Sequence, residues 1–287
     1  MLAAGLIPER TADPRRAFHL WSSDGAVILT GNRIGAGATL VGARDVFGPR
    51  LFVCHSPSIV AASTVRDRPA GGGLLTQAAI GHAGIDAQPH IDGWLEFRDY
   101  YPDVVFVSGQ RQAMRGGQWF VIDGQRLLDG LASDPIRRAL IRFLWDVKLG
   151  QGQPSDSGLV GTGQRAATCR PAASRTCGGR LTIRCHPYQR LLEDVAPPGP
   201  ADRHHLAAWA RVTEQAARVA PRFALGPGEL LCLDNYRIFH GLQPCAEVAT
   251  LGHTLWAWTD MAFGLPYPDD LGAQTAGRTT SPSHLLS

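Results

Sequence analysis

Short apolar runs punctuated by glycine, proline and polar residues dominate the hydropathy pattern of this chain, and most of them have the length and composition of strands. Ala26-Val27-Ile28-Leu29-Thr30-Gly31 ends on a glycine, and Leu51-Phe52-Val53-Cys54-His55 has the same character. Val104-Val105-Phe106-Val107 and Trp119-Phe120-Val121-Ile122 are continuous β-branched and aromatic runs, which suits strands covered on both faces. Leu230-Leu231-Cys232-Leu233 follows the turn Gly226-Pro227-Gly228, and Thr254-Leu255-Trp256-Ala257-Trp258-Thr259-Asp260 reads as a closing strand. Arg180-Leu181-Thr182-Ile183-Arg184-Cys185 alternates strictly, which puts Arg180 and Arg184 on one face.

Helical spacing is confined to a few places. Ser133-Asp134-Pro135 caps a helix expected from about Ile136 to Lys148, in which Ile136, Leu140, Ile141, Leu144 and Val147 recur on one side. Asp202 to Val219 is a second helix with Leu206, Trp209, Ala210, Val212 and Ala216 on its apolar side, and Val46-Phe47-Gly48 closes a shorter one. Thr64 to Gly73 is a loop rich in Arg, Pro and Gly. Between Gly150 and Gly179 no periodic apolar pattern survives, which predicts a lid over a site or a poorly ordered insertion, and the polar tail from Gly272 to Ser287 is expected to fray.

With 287 residues and no obvious linker, the elements predict one β-rich domain over residues 1–287. A hydrophobic fraction of 44% and a formal net charge of +3 describe an ordinary globule, and call for neither nucleic acid nor an anionic membrane as partner. Lys148 is the only lysine, and the abundance of Arg, Ala, Gly and Pro resembles a GC-rich bacterial coding bias. The first ten residues lack the basic start and apolar core of a secretion signal, and no run is long enough to span a bilayer. The six cysteines show no Cys-x-x-Cys spacing, which argues against a structural zinc and for a reduced, cytoplasmic chain with buried thiols.

The chemistry lies in Gln88-Pro89-His90-Ile91-Asp92-Gly93-Trp94. On an extended strand His90 and Asp92 point the same way and can grip one ion between them, while Ile91 points away. A third ligand from far downstream, His240, sits just beyond the Leu230–Leu233 run and would complete a triad of two histidines and one carboxylate, the donor set that holds a non-haem Fe(II) and leaves positions open. His55 and His82 lack an acidic neighbour on the same face and are read as ordinary histidines. His204 and His205 diverge by about 100° on their helix and are read as solvated.

Three segments resemble the taurine dioxygenase/clavaminate synthase-like branch of the Fe(II)/2-oxoglutarate oxygenases. They are Pro89-His90-Ile91-Asp92-Gly93, then Arg115-Gly116-Gly117-Gln118-Trp119-Phe120-Val121-Ile122-Asp123-Gly124 with a helix-like stretch from Gln125 to Leu131, and Gly228-Glu229-Leu230-Leu231 through His240-Gly241. Order and spacing agree from roughly residue 75 to residue 260. The resemblance implies a mainly β fold with flanking helices (α+β), a distorted double-stranded β-helix or jelly roll, and His90, Asp92 and His240 as iron ligands. It also implies oxidative decarboxylation of 2-oxoglutarate to succinate by molecular oxygen, coupled to hydrogen abstraction from an unactivated C–H bond of a small-molecule substrate. Because Asp92 is present, where family halogenases carry Ala or Gly, hydroxylation, desaturation or ring formation is implied. Bacterial specialised metabolism, such as antibiotic biosynthesis, is the expected setting.

The sequence departs from the family where the far carboxylate of 2-oxoglutarate is usually clamped. Trp119 stands where a hydroxyl is expected, Leu251 where the arginine is expected, and Leu255 where a second arginine often stands. A bidentate charged pair is worth on the order of 1.5–3 kcal/mol, so a replacement is required if the co-substrate is kept. His253, Arg115 and Arg111 are the candidates, and Trp94, Trp119, Arg180 and Arg184 are candidates for the substrate. Two other readings stay open: an Fe(II) and oxygen enzyme without 2-oxoglutarate, and a non-catalytic metabolite-binding jelly roll.

Overall fold

The computed structural model describes residues 4–49, 51–55, 59–61, 88–92, 102–109, 116–151, 170–175, 179–187, 189–191, 199–243 and 249–259. In chain order the first elements are β1 (Gly5–Leu6), β2 (Glu9–Thr11), helix α1 (Pro14–Asp24), β3 (Ala26–Leu29), helix α2 (Ala36–Phe47), β4 (Phe52–His55), β5 (Ile59–Ala61), β6 (Val104–Gly109) and β7 (Trp119–Asp123). Next come helix α3 (Gly124–Ala132), helix α4 (Arg138–Asp146), β8 (Lys148–Gln151), β9 (Arg170–Pro171), β10 (Ala173–Arg175), β11 (Leu181–Ile183) and β12 (Gln189–Leu191). Helix α5 (Pro200–Val219), β13 (Leu230–Asp234), β14 (Ile238–Leu242) and β15 (Ala249–Trp258) complete the α+β chain.

Three of the described α-helices, α1, α3 and α5, begin where a side chain supplies a cap. Asp13 accepts from the Arg15 amide at 2.9 Å with Pro14 in the first turn, and Gly25, at φ 79°, closes α1 in the left-handed region. The Asp123 carboxylate caps α3 by accepting from the amides of Gln125 and Arg126, so β7 passes into the helix without a loop. Asp202 reaches back to the Gly199 amide at 3.1 Å to start α5.

Four sheets form among the described residues: β10-β11 and β12-β8-β9 are short, and the two that frame the site pack on one another between helical layers. The larger sheet runs β2-β3-β13-β6-β15-β4, with β5 also paired to β15. The smaller runs β1-β7-β14, and is extended by an antiparallel bridge between His240 and His90 and by the bond from the Ile91 amide to the Cys185 carbonyl. Between the sheets lies a core built from Ile28, Val105, Val107, Leu231 and Leu233 on one side and Trp119, Val121, Ile238 and Leu242 on the other. The outer face of the larger sheet packs Phe106, Cys232 and Leu255 against Trp21 and Val46 of α1 and α2. The outer face of the smaller sheet packs Phe120, Ile122 and Phe239 against Leu127, Leu144 and Trp209 of α3, α4 and α5. Strict alternation along β7 and β14 separates these cores: Val121 and Trp119 face inward between the sheets, Phe120 and Ile122 outward.

Several expectations need redrawing. The helix expected from Ile136 to Lys148 is a 3-10 turn, Pro135–Arg137, followed by α4, and Lys148 already belongs to β8. The tighter turn rotates Ile136 off the apolar side and leaves it 91% exposed. α1 has no counterpart in the hydropathy reading, although Asp13-Pro14 and Gly25 mark both its ends. Within the stretch 150–179, β8 takes its start and β9 and β10 take residues 170–171 and 173–175, while residues 152–169 and 176–178, the loop 64–73 and the tail 272–287 lie outside the described residues. No helix among the described residues is long and apolar enough to cross a membrane.

Candidate metal centre

His90, Asp92 and His240 each place one ligand atom within 4.8 Å of the others, at the edge of the core between the sheets. The bridge from the His90 amide to the His240 carbonyl and back, at 3.1 and 3.0 Å, brings the two histidines side by side, with ring centroids 4.7 Å apart. Ile91 points the other way, into the helix-side core. His90 Nδ1 lies 2.9 Å from the Gln88 carbonyl, which can only accept, so Nδ1 carries the proton and Nε2 presents its lone pair to the site. That Nε2 is 3.5 Å from Asp92 Oδ1, and His240 Nε2 is 3.7 Å from the same oxygen.

Asp92 is held from three sides. Its Oδ2 accepts from Trp256 Nε1 at 3.0 Å. Its amide donates to Asn235 Oδ1, and its carbonyl accepts from Asn235 Nδ2, both at 2.9 Å. Burial opposes the Asp92 charge, but His240 and His90 beside it and the Trp256 hydrogen bond prevail and hold the carboxyl well below the usual range. Cys185, two residues beyond β11, docks the motif by donating from Sγ to the Pro89 carbonyl at 3.2 Å, and burial pushes its thiol up to about 12. The next residue, His186, sets its ring 6.3 Å from that of His90, and burial followed by the nearby His90 pushes it down to about 3, Asp92 opposing.

The other candidates are distributed differently. Trp119 is buried, with its ring 6.3 Å from the His240 ring, and forms part of the wall beside the triad. Arg180 is engaged within the fold: Nη2 donates to Asp234 Oδ1 at 2.6 Å, and its guanidinium lies over the rings of Tyr236 and Trp21. Arg184 is 1% exposed, between Ile183 and Cys185 of the helix-side core. His253 pairs in register with Ser108, its side chain lying outside the described residues together with His55, His82, Trp94, Arg111 and Arg115. Leu255 faces α1 and α2, away from the triad, whereas its neighbour Trp256 faces it. Of the two helical histidines, His204 is exposed and His205 is half-buried, with its ring 5.6 Å from Phe143.

Asn235, Trp256, Cys185 and His186 were not singled out by motif reading for these contacts. Asn235 and Trp256 lie 143 and 164 residues from Asp92, and no local pattern in the sequence foretells either contact. A cavity of about 800 Å³ elsewhere, between α3, α4 and α5 and bordered by Arg137, His205 and Arg211, includes none of the triad.

No family model and no curated protein matches the sequence. The folded chain, however, is similar to solved structures. A structure of AAD-2 in complex with Mn(II) and N-oxalylglycine has a TM-score of 0.58 at 13% identity, covering 90% of this chain and 90% of that one. An asparagine oxygenase in complex with Fe(II), 2S,3S-3-hydroxyasparagine and succinate has 0.55 at 16%, covering 94% and 83%. PvcB, an Fe, alpha-ketoglutarate dependent oxygenase from an isonitrile synthetic pathway, has 0.53 at 14%, covering 88% and 82%. The chain shares the fold of these iron oxygenases. They belong to the taurine dioxygenase/clavaminate synthase-like type, and the His-x-Asp and distal His that mark it are the residues gathered here.

Two imidazoles and one carboxylate, converging through Nε2, Nε2 and Oδ1, match the donor set of a mononuclear Fe(II) site. The Gln88 carbonyl behind His90 supplies the outer hydrogen bond that metal-binding histidines generally require.

Proposed function

We propose that this protein is a non-haem Fe(II)-dependent oxygenase that hydroxylates, desaturates or cyclises a small molecule, with 2-oxoglutarate as co-substrate, on a single jelly-roll domain. The observation that carries the proposal is the convergence of His90, Asp92 and His240 on the inner face of the smaller sheet. Iron held there would supply the oxygen activation that side chains cannot.

The protein's own part is positioning and exclusion of water. His90 and His240 present ring nitrogens, Asp92 a carboxylate oxygen, and Trp119 with Leu242 and Val121 forms an apolar wall beside them. Succinate in the asparagine oxygenase complex supports the choice of co-substrate, and the isonitrile pathway of PvcB supports a role in specialised metabolism. His253, Arg111 and Arg115 remain the candidates for the far carboxylate of 2-oxoglutarate, and Trp94, Trp119, Arg180 and Arg184 for the substrate.

One observation favours a second reading, in which the substrate supplies all the electrons. β15 carries neither arginine nor lysine, and alternation puts Thr254, Trp256 and Trp258, among its described side chains, on the face away from α1 and α2. Titration of the anaerobic Fe(II) protein with 2-oxoglutarate separates the two. A visible metal-to-ligand charge-transfer band is expected, and a protein that binds Fe(II) yet develops no band would favour the second reading.

A further inference from the structure

The two oxygens of Asp92 are not equivalent. Oδ1 lies 3.5 Å from His90 Nε2 and 3.7 Å from His240 Nε2, so it faces the point on which both imidazoles converge. Oδ2 accepts the Trp256 Nε1 hydrogen at 3.0 Å. An indole N–H has no acceptor function and does not titrate, so this bond is fixed in sense. Trp256 is itself buried on β15, in the core between the sheets, where its register against Val105 of β6 fixes its place along the strand. The Asp92 backbone is fixed separately by Asn235, so a rotation that brought Oδ2 toward the imidazoles would break the indole bond without any compensating movement of the main chain.

We infer that Trp256 is a positioning residue that makes Asp92 a one-oxygen ligand, and that this restriction keeps coordination positions open at the metal for co-substrate and oxygen. The inference rests on the proposed function and deepens it. A two-oxygen carboxylate would use one position that an oxygenase needs vacant. Trp256 thus controls how many exogenous ligands the centre accepts, whereas the triad controls whether a metal binds at all.

Co(II) substituted for iron tests this without turnover, because its visible spectrum reports coordination number. In Trp256→Phe, which keeps an aromatic ring and removes the donor, the d–d bands should shift in position and intensity, and metal affinity should change by about tenfold or more. Trp258→Phe, two residues further along the same strand, leaves the Trp256 donor to Asp92 in place, and its Co(II) spectrum should overlay that of the unsubstituted protein. If Trp256→Phe does not fold, site-specific replacement of Trp256 by 3-benzothienylalanine retains the bicyclic shape with sulfur in place of N–H and should produce the same spectral change. A Trp256→Phe spectrum superimposable on that of the unsubstituted protein, or an equal change in Trp258→Phe, overturns the inference. Failure of the folded, unsubstituted protein to bind Co(II) or Fe(II) would instead overturn the metal reading itself, a result that no Trp256 variant is needed to obtain.

Discussion

Asn235 grips Asp92 by both backbone polar groups, accepting its N–H at Oδ1 and donating to its carbonyl from Nδ2, each at 2.9 Å. The same Nδ2 donates to the Pro102 carbonyl at 2.8 Å, and the Asn235 amide donates to the Asp103 carbonyl at 3.0 Å. One side chain, 0% exposed, therefore joins three stretches that are distant in sequence: the metal motif, the entry to β6, and the turn between β13 and β14 that leads to His240. The position of the carboxylate is thus coupled to that of the distal histidine through five residues of chain.

Replacing Asn235 by Ala leaves the Asp92 amide and two carbonyls without that partner in a buried place, at a cost of about 3 kcal/mol in stability, and should weaken metal binding by about 10- to 100-fold. Asn235→Asp should be no better. Its carboxylate can still accept from the Asp92 amide but sets an oxygen against two carbonyls. Urea unfolding and anaerobic Fe(II) titration measure the two effects. An Asp variant that binds metal as the unsubstituted protein does would show that Nδ2 is dispensable.

Single replacement of His90, Asp92 or His240 by Ala should reduce bound Fe(II) from one equivalent to a trace, while the fold persists. Asp92→Ala in particular removes the charge that His90 and His240 now face. Metal analysis after anaerobic loading, paired with a circular dichroism spectrum, gives the answer. Retention of one equivalent in any of the three would remove that residue from the site.

The triad was legible because period-2 alternation places His90 and Asp92 on one face wherever the strand lies. His240 was legible from the apolar strand Leu230–Leu233 ahead of it, together with the family resemblance. The strands at Ala26–Leu29, Val104–Val107 and Trp119–Ile122 were legible for a similar reason: both of their faces are covered, so their sequences are apolar throughout. What could not be read is whatever depends on side chains meeting across the fold. Asn235 and Trp256 lie 143 and 164 residues from Asp92, and no local periodicity records such distances. Arg180 shows the limit in the other direction. Alternation placed it on a face with Arg184, but only the fold brings it to Asp234 and the ring of Tyr236. The two-residue strands β1 and β9 are too short to carry any period and owe their form to partners already in place.

Cys185 should behave as an inert thiol in the folded protein. It is 4% exposed, donates to the Pro89 carbonyl, and has its thiol pushed up to about 12 by burial, so little thiolate exists at neutral pH. Iodoacetamide at pH 7.5 should leave Cys185 unlabelled in native protein and label it fully in denaturant, as read by peptide mass spectrometry. Cys232, buried in β13 with its thiol also pushed up, should follow the same pattern. Rapid native labelling of Cys185 would mean that the segment bonded to the metal motif opens readily.

Asp103 gives the fold a pH dependence of definite sign. Burial, opposed by hydrogen bonds from Thr259 and by the charge of Arg180, pushes its carboxyl up to about 7. Its oxygens accept from the Thr259 amide at 3.1 Å and hydroxyl at 2.7 Å. In the unfolded chain an aspartate titrates near about 3.9, so between that value and about 7 the folded state binds a proton that the unfolded state does not. Its contribution to stability is therefore complete below about pH 4 and is lost as pH rises through about 7, beyond which it is constant. Asp103→Asn keeps an oxygen for Thr259 and removes the titration. The melting temperature of the variant relative to the unsubstituted protein should rise steadily from pH 4 to pH 7.5 and then level. A difference that is flat across that interval would place the Asp103 carboxyl at its ordinary acidity and mark its burial as offset by Arg180 and Thr259.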